Sequence, residues 1–201
     1  MALPSPAANP KLARILDAAY RVFSEKGYHE ARVEEIAELA GVAKGTVYLY
    51  FSSKQELYLA MLDELFAAHV RALEARAAGG GSWEERLTSA LEEFLATTTC
   101  ASGMGVLMVN LPHACEEGAR SCLLRVYEAI QTIFTGLLTE AQVERRPPEA
   151  VAPEFAARAL IGMAHSFILA HYLGQQTLEP GPTAQALVRL LTRGVAPLPA
   201  G

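Results

Sequence analysis

From Val33 to Leu57 the chain reads VEEIAELAGVAKGTVYLYFSSKQEL, and no other stretch restricts its fold as tightly. Two short helix-forming segments flank Gly41, and an aromatic pair and the start of a longer helix follow. Ala37 is small, as required where two helices cross closely. Gly41 allows the positive backbone angle of a tight turn without steric cost. Val47 comes from the second helix and fills the angle between the two. Helix, glycine turn and helix in this order make a helix-turn-helix, whose second helix enters the major groove of DNA. The expected function is control of transcription.

Together with ILDAAYRVFSEKGY (Ile15 to Tyr28), the segment from Leu12 to Leu57 resembles the N-terminal domain of TetR-family transcriptional regulators. The most specific part is KGTVYLYF followed by Lys54. The resemblance covers about a quarter of the chain and implies an all-α protein: an N-terminal three-helix domain with the helix-turn-helix, then a C-terminal helical ligand-binding and dimerisation domain. The divisions expected are a flexible N-terminus over 1–8, a DNA-binding domain over 9–53 and the second domain over 54–201.

Periodicity supports helices almost throughout. Asn9 and Pro10 suit an N-cap and a first helical turn. Leu12, Ile15, Leu16, Ala19, Val22 and Phe23 then share one face, and Gly27 is expected to end the helix. Ser53 with Glu56 and Ser82 with Glu85 read as capping boxes. The first opens a helix running to about Ala78, where Gly79, Gly80 and Gly81 break the chain. A short helix is expected over Met104 to Asn110 and a long one from about Glu117 to Arg145. Pro153 and Pro182 each suit a first turn, for helices ending near Gly174 and Gly194. No strand is expected.

The chain has 201 residues, 51% of them hydrophobic and 19% charged, which fits packed helical domains better than disorder. Ala159 to Leu173, the longest apolar candidate, is too short for a membrane span and carries His165, Ser166 and His171. The first residues lack a signal-peptide pattern, so a cytoplasmic protein with no membrane partner is expected. The net charge is −5, and between residues 9 and 57 seven bases balance seven acids. Such a domain cannot hold DNA as a polycation; it needs a few placed contacts and two copies. Cys100, Cys115 and Cys122 lack zinc spacing and read as small buried hydrophobes, with a redox or metal sensor as the alternative. No catalytic triad, carboxylate pair or metal-ligand spacing stands out. Neither an enzyme, a cofactor nor a metal is expected.

The resemblance carries DNA contacts to Arg32, Ala43, Lys44, Gly45, Thr46, Tyr48, Leu49, Tyr50 and Lys54. The N–H groups of Lys44 and Gly45 open the recognition helix and favour phosphate. Thr46 offers a hydroxyl and a methyl to a base edge. Tyr48, Tyr50 and Lys54 suit phosphates. Leu49 and Tyr50 have packing within the domain as their alternative, and Phe51 belongs to its core. Ala43 departs from the Ser or Thr usual in relatives, losing an N-cap typically worth about 1 kcal/mol. Arg32 stands near a Thr of relatives and is either a phosphate contact or a solvated arginine.

For the second domain the resemblance implies a homodimer, a palindromic double-stranded operator and an apolar or amphiphilic small-molecule effector. Phe155, Ala159, Gly162, Ser166, Ala170 and Leu173 form a stripe for the dimer, with Leu187 and Leu191 on its partner helix. Ordinary intramolecular core is the alternative. Trp83, Phe94, Met104, Met108, Asn110, His113, Tyr127, Phe134 and His165 are the effector candidates, each with a core role as its alternative. The expected outcome of effector binding is release from the operator. A helical carrier of lipophilic molecules that does not bind DNA is the rival, and the retained Lys44–Tyr50 segment weighs against it.

Overall fold

The computed structural model describes residues 9–99, 116–145 and 151–194. Among these residues are eight helices and no strand, so the fold is all-α. The helices are α1 (Pro10–Glu30), α2 (Val33–Leu39), α3 (Lys44–Tyr50), α4 (Lys54–Ala77), α5 (Trp83–Thr99), α6 (Glu116–Arg145), α7 (Pro153–Tyr172) and α8 (Pro180–Arg193). The expected short helix over 104–110, together with Cys100 and Cys115, lies outside the described residues.

Two compact units emerge, and the chain passes between them within α4 and again within α6. The first comprises residues 1–68 and 101–126, the second 69–100 and 127–201.

In the first unit, local signals set the helix ends. Asn9 Oδ1 accepts from the N–H groups of Lys11 and Leu12 at 3.1 and 3.2 Å, while Pro10 fills a position that needs no donor. Gly27 does not end α1 outright. It takes φ +73°, kinks the chain, and a further turn closes at Glu30. At the end of α2, Gly41 adopts φ +66°. Its N–H bonds Glu38 O at 3.0 Å and that of Val42 bonds Ala37 O at 2.9 Å, the paired closure of a Schellman motif. Ser53 Oγ accepts from Glu56 N at 3.1 Å. The expected return contact is displaced by one residue, because the Glu56 carboxylate takes both the N–H and the hydroxyl of Ser52 at 2.6 Å.

These ends hold a small core. Leu12, Ile15, Phe23, Ile36, Ala37, Val47, Phe51 and Leu57 are all buried. Phe23 meets Tyr58 edge to face at 5.0 Å, and Tyr28 meets Tyr58 likewise at 5.2 Å. The start of α6 lies close on α4: a Cβ at Gly118 would stand 2.6 Å from Leu59 Cδ1. Two turns further, Arg125 pairs with Asp63 at 2.5 Å. Cys122 is buried in this contact, and burial together with the Asp63 carboxylate raises its thiol pKa to about 11. That environment makes an inert thiol, not a reactive one.

In the second unit α5 packs mainly on α8 and also on α7. Ser82 and Glu85 form the expected reciprocal capping box, at 2.8 and 3.3 Å. Helix α8 begins at Pro180 and not at Pro182, since Pro180 itself supplies the donor-free first position. Phe94 forms an aromatic hub with Phe134 edge-on at 6.3 Å. Among the described residues no helix is long and apolar enough to cross a membrane.

Candidate nucleic-acid interface

The geometry of α2 and α3 follows from three buried residues. Ala37 of α2, Val47 of α3 and Phe51 at the end of α3 are all buried, at 3%, 1% and 1% exposure. With Val47 turned inward, Tyr48 and Leu49 must turn outward. They are 45% and 85% exposed, so Leu49 is nearly free of its own chain. Thr46 and Tyr50 are half-buried. Gly45 is exposed, with open space where a Cβ would stand.

Helix α3 starts at Lys44, after an N-cap residue, Ala43, that makes no side-chain cap. Its first N–H groups therefore have no protein cap from that residue. Lys44 is exposed and paired with Glu34 of α2, and its ammonium lies 5.7 Å from the Tyr48 ring centroid. The hydrogen bond to Glu34 raises the Lys44 pKa, and the same bond lowers that of Glu34. Glu35, the next acid, pairs with Lys26 at 2.9 Å, which lowers its pKa as well. Arg32 is exposed at the start of α2, and its backbone N–H reaches Glu35 at 3.4 Å.

Two of the expected phosphate contacts also carry internal duties. Lys54 Nζ donates to the carbonyls of His29 and Ala31, at 3.1 and 2.8 Å, and sits 4.7 Å over the Tyr28 ring. It thereby caps the C-terminal end of α1, where a cation is favoured. The Tyr50 hydroxyl accepts from Asn9 Nδ2 at 3.0 Å, tying the end of α3 to the start of α1. Neither bond was legible in the sequence, because the partners lie far apart in the chain.

In the second unit, Trp83, Phe94 and Phe134 are buried, while Tyr127 and His165 are exposed. His165 lies edge-on to Phe94 at 5.5 Å, and the protein around it lowers its pKa. Met104, Met108, Asn110 and His113 lie outside the described residues. A cleft of about 300 Å³ is found elsewhere, in the first unit between α1 and α4, lined by Leu16, Tyr20, Met61 and Leu65 among others.

On α7, Phe155 and Leu173 are 67% and 63% exposed, and Gly162 and Ser166 are exposed between them. Ala159 and Ala170 are half-buried. Leu187 of α8 departs from the expected outward face: it is buried in its own unit, while Leu191 is half-buried and Leu190 exposed.

One buried polar side chain lies outside the expected effector contacts. His69 lies within the apolar series of α4, is 3% exposed, and finds no hydrogen-bond partner among the described residues for either ring nitrogen. Periodicity places it on the inner face but says nothing about partners.

Residues 15–61 match the family model described as bacterial regulatory proteins, tetR family. The chain is 23% identical over 186 residues to the fatty acid metabolism regulator protein of Bacillus subtilis, spanning 92% of this chain and 96% of that one. It is 44% identical over 71 residues to the HTH-type transcriptional regulator RutR of Escherichia coli, spanning 35% and 34% of the two chains. Among solved structures, FadR from Bacillus subtilis in complex with stearoyl-CoA matches with a TM-score of 0.74 at 23% identity, over 92% of this chain and 99% of that one. A TetR-like transcriptional regulator from Rhodococcus sp. RHA1 matches with a TM-score of 0.62 at 28% identity, over 96% and 98%.

Proposed function

We propose, from the match of residues 15–61 to the tetR family model, that this chain is a TetR-family regulator that represses transcription by binding a palindromic operator as a homodimer and leaves the operator when an effector binds. The observation that carries the reading is α3 itself. It is seated by Val47, opened by an uncapped first turn, and presents Tyr48 and Leu49 to solvent. A helix so presented suits the major groove, with base edges read by Thr46, Tyr48 and Leu49 and phosphate held by the first N–H groups and Lys44. Arg32 and Tyr50 lie on the flanks, Gly45 allows close approach of the backbone, and Ala43 leaves the helix start uncapped. Lys54 acts from the edge, its charge shared with the end of α1.

The exposed stripe of α7, from Phe155 through Gly162 and Ser166 to Leu173, suits a second copy because small residues let helices approach closely. Two copies would place their α3 helices about 34–36 Å apart, one turn of DNA. Resemblance to a fatty acid metabolism regulator across 92% of the chain supports an apolar or amphiphilic effector held in the second unit. Because α4 continues from one unit into the other, effector binding has a covalent route to the DNA-binding unit. A hundredfold loss of operator affinity requires about 2.7 kcal/mol of coupling, and the operator must weaken effector binding equally.

Selection of binding sites from random DNA tests the first half of this reading. Enrichment of a palindrome with half-sites one turn apart is expected, with loss of enrichment in Tyr48→Ala. No enrichment over that variant would favour a carrier that does not bind DNA. The second half is tested by screening fatty acyl thioesters and aromatic amphiphiles for release of the selected operator.

A further inference from the structure

Buried polar atoms without partners are rare in proteins, and each costs folding free energy that a fold has to recover elsewhere. Among the described residues they are distributed unevenly. The first unit leaves Ser24 Oγ unpartnered, whereas the second leaves both nitrogens of His69 together with atoms of Arg86, Gln131 and Thr135. His69 is the extreme case, since an entire imidazole is buried with neither ring nitrogen bonded.

Its surroundings are organised. The His69 ring lies 5.9 Å from that of Phe94, which in turn meets Phe134 and His165. Four helices, α4, α5, α6 and α7, thus each contribute one ring to a cluster around Phe94. The cluster runs from a fully buried imidazole to an exposed one. An apolar body lying against Phe94 and Phe134 would bring its polar end to His69.

Resting on the effector reading above, we infer that His69 is the polar anchor of the effector site and takes an uncharged head group that both donates and accepts a hydrogen bond, such as an alcohol, a phenol or a primary amide. Burial lowers the His69 pKa, and the field of Glu93 opposes this only in part. Glu93 is itself engaged, by Arg76 at 3.2 Å and by the Thr97 hydroxyl at 3.1 Å, and the other imidazole facing the cluster, His165, also has a lowered pKa. The ring is therefore neutral at pH 7.5, with one nitrogen donating and the other accepting. The two nitrogens point away from each other, so one head group pairs with one of them, and a hydroxyl or amide can do so whichever tautomer the ring adopts. A carboxylate can only accept, and it must give up its hydration in an apolar site.

The test uses the full-length protein at pH 7.5 with 1-decanol and decanoate as probes. Calorimetry follows affinity, and ¹⁵N-histidine NMR follows the ring nitrogens. We expect decanol to bind at least tenfold more tightly than decanoate and to shift the His69 nitrogens, identified by their absence in His69→Phe. That variant should bind decanol about tenfold more weakly, the value of one lost hydrogen bond. It should also melt at a higher temperature, because it removes two unpartnered polar atoms. His69→Gln, which keeps a donor and an acceptor, should bind decanol within a few-fold of wild type and serves as the folded comparison should the Phe variant fail to fold. Equal decanol binding by wild type and His69→Phe, preference for decanoate, or no binding of either probe by wild type each overturns the inference. None of these results bears on the effector reading, which stands or falls on the operator-release screen with wild-type protein.

Discussion

In the first unit polar groups near helix ends are answered by a neighbour. Asn9 caps α1 and reaches Tyr50, Lys54 closes the end of α1, and Ser52, Ser53 and Glu56 close the start of α4. The second unit has its own caps at Ser82 and Gly174, yet among the described residues it leaves His69, Gln131 and Thr135 with buried unpartnered atoms. The difference matches two tasks. On the proposed reading, a unit that offers one rigid helix to DNA gains from satisfied helix ends, and a unit that accepts a small molecule keeps polar atoms whose partner arrives with it.

The sharpest way to break this contrast is to place a charge in the tighter core. Val47→Asp buries an unpaired carboxylate at a position that is 1% exposed, costing about 4 kcal/mol or more. Operator binding should vanish while effector binding persists, measured by fluorescence anisotropy and calorimetry. Loss of both would mean that the units do not fold independently. Phe94→Ala makes the converse cut. Removing the aromatic hub should cost about 3–5 kcal/mol and abolish effector response, leaving the helix-turn-helix signals in the NMR spectrum unchanged. Gly41→Val forces a β-branched residue to φ +66° and should destabilise the first unit by about 1–2 kcal/mol, read from its denaturation midpoint.

Acidity should separate the units more gently. His69 has a lowered pKa in the folded state, so the unfolded chain binds the proton more readily. Stability is highest above the unfolded value near 6.5 and falls as pH drops through it towards the folded pKa. Melting temperature should therefore decline between pH 7.5 and 5.5, and decline less in His69→Phe. The carboxylates with lowered pKa, among them Glu34, Glu56 and Glu85, remain ionised over that range. An identical decline in both proteins would assign the effect to other groups, His165 first. The smallest expected change is a gain. Ala43→Ser supplies the missing cap of α3 and should stabilise the first unit by about 0.5–1 kcal/mol, measured by chemical denaturation.

Much of this molecule was legible before any coordinates. The capped start of α1, the glycine turn after α2, the inward Val47 and the serine caps of α4 and α5 rest on contacts within a few residues, so short stretches of sequence carry them. Where local reading slipped, the errors were small. Gly27 kinks α1 without ending it, and Pro180 takes the first turn that Pro182 was expected to hold.

What needed the tertiary structure was every property that depends on a distant partner. Lys44 is expected from sequence to offer its backbone N–H to phosphate, and only the fold shows its side chain paired with Glu34. Lys54 looks free until α1 brings its carbonyls alongside. Leu187 belongs to an apolar period that fits an inner or an outer face, and packing turned it inward. His69 stood outside the effector candidates, since nothing nearby in sequence reveals whether a buried imidazole will find a partner. Periodicity tells which side of a helix is covered. It cannot tell what covers it, because that is decided by helices brought together from elsewhere in the chain.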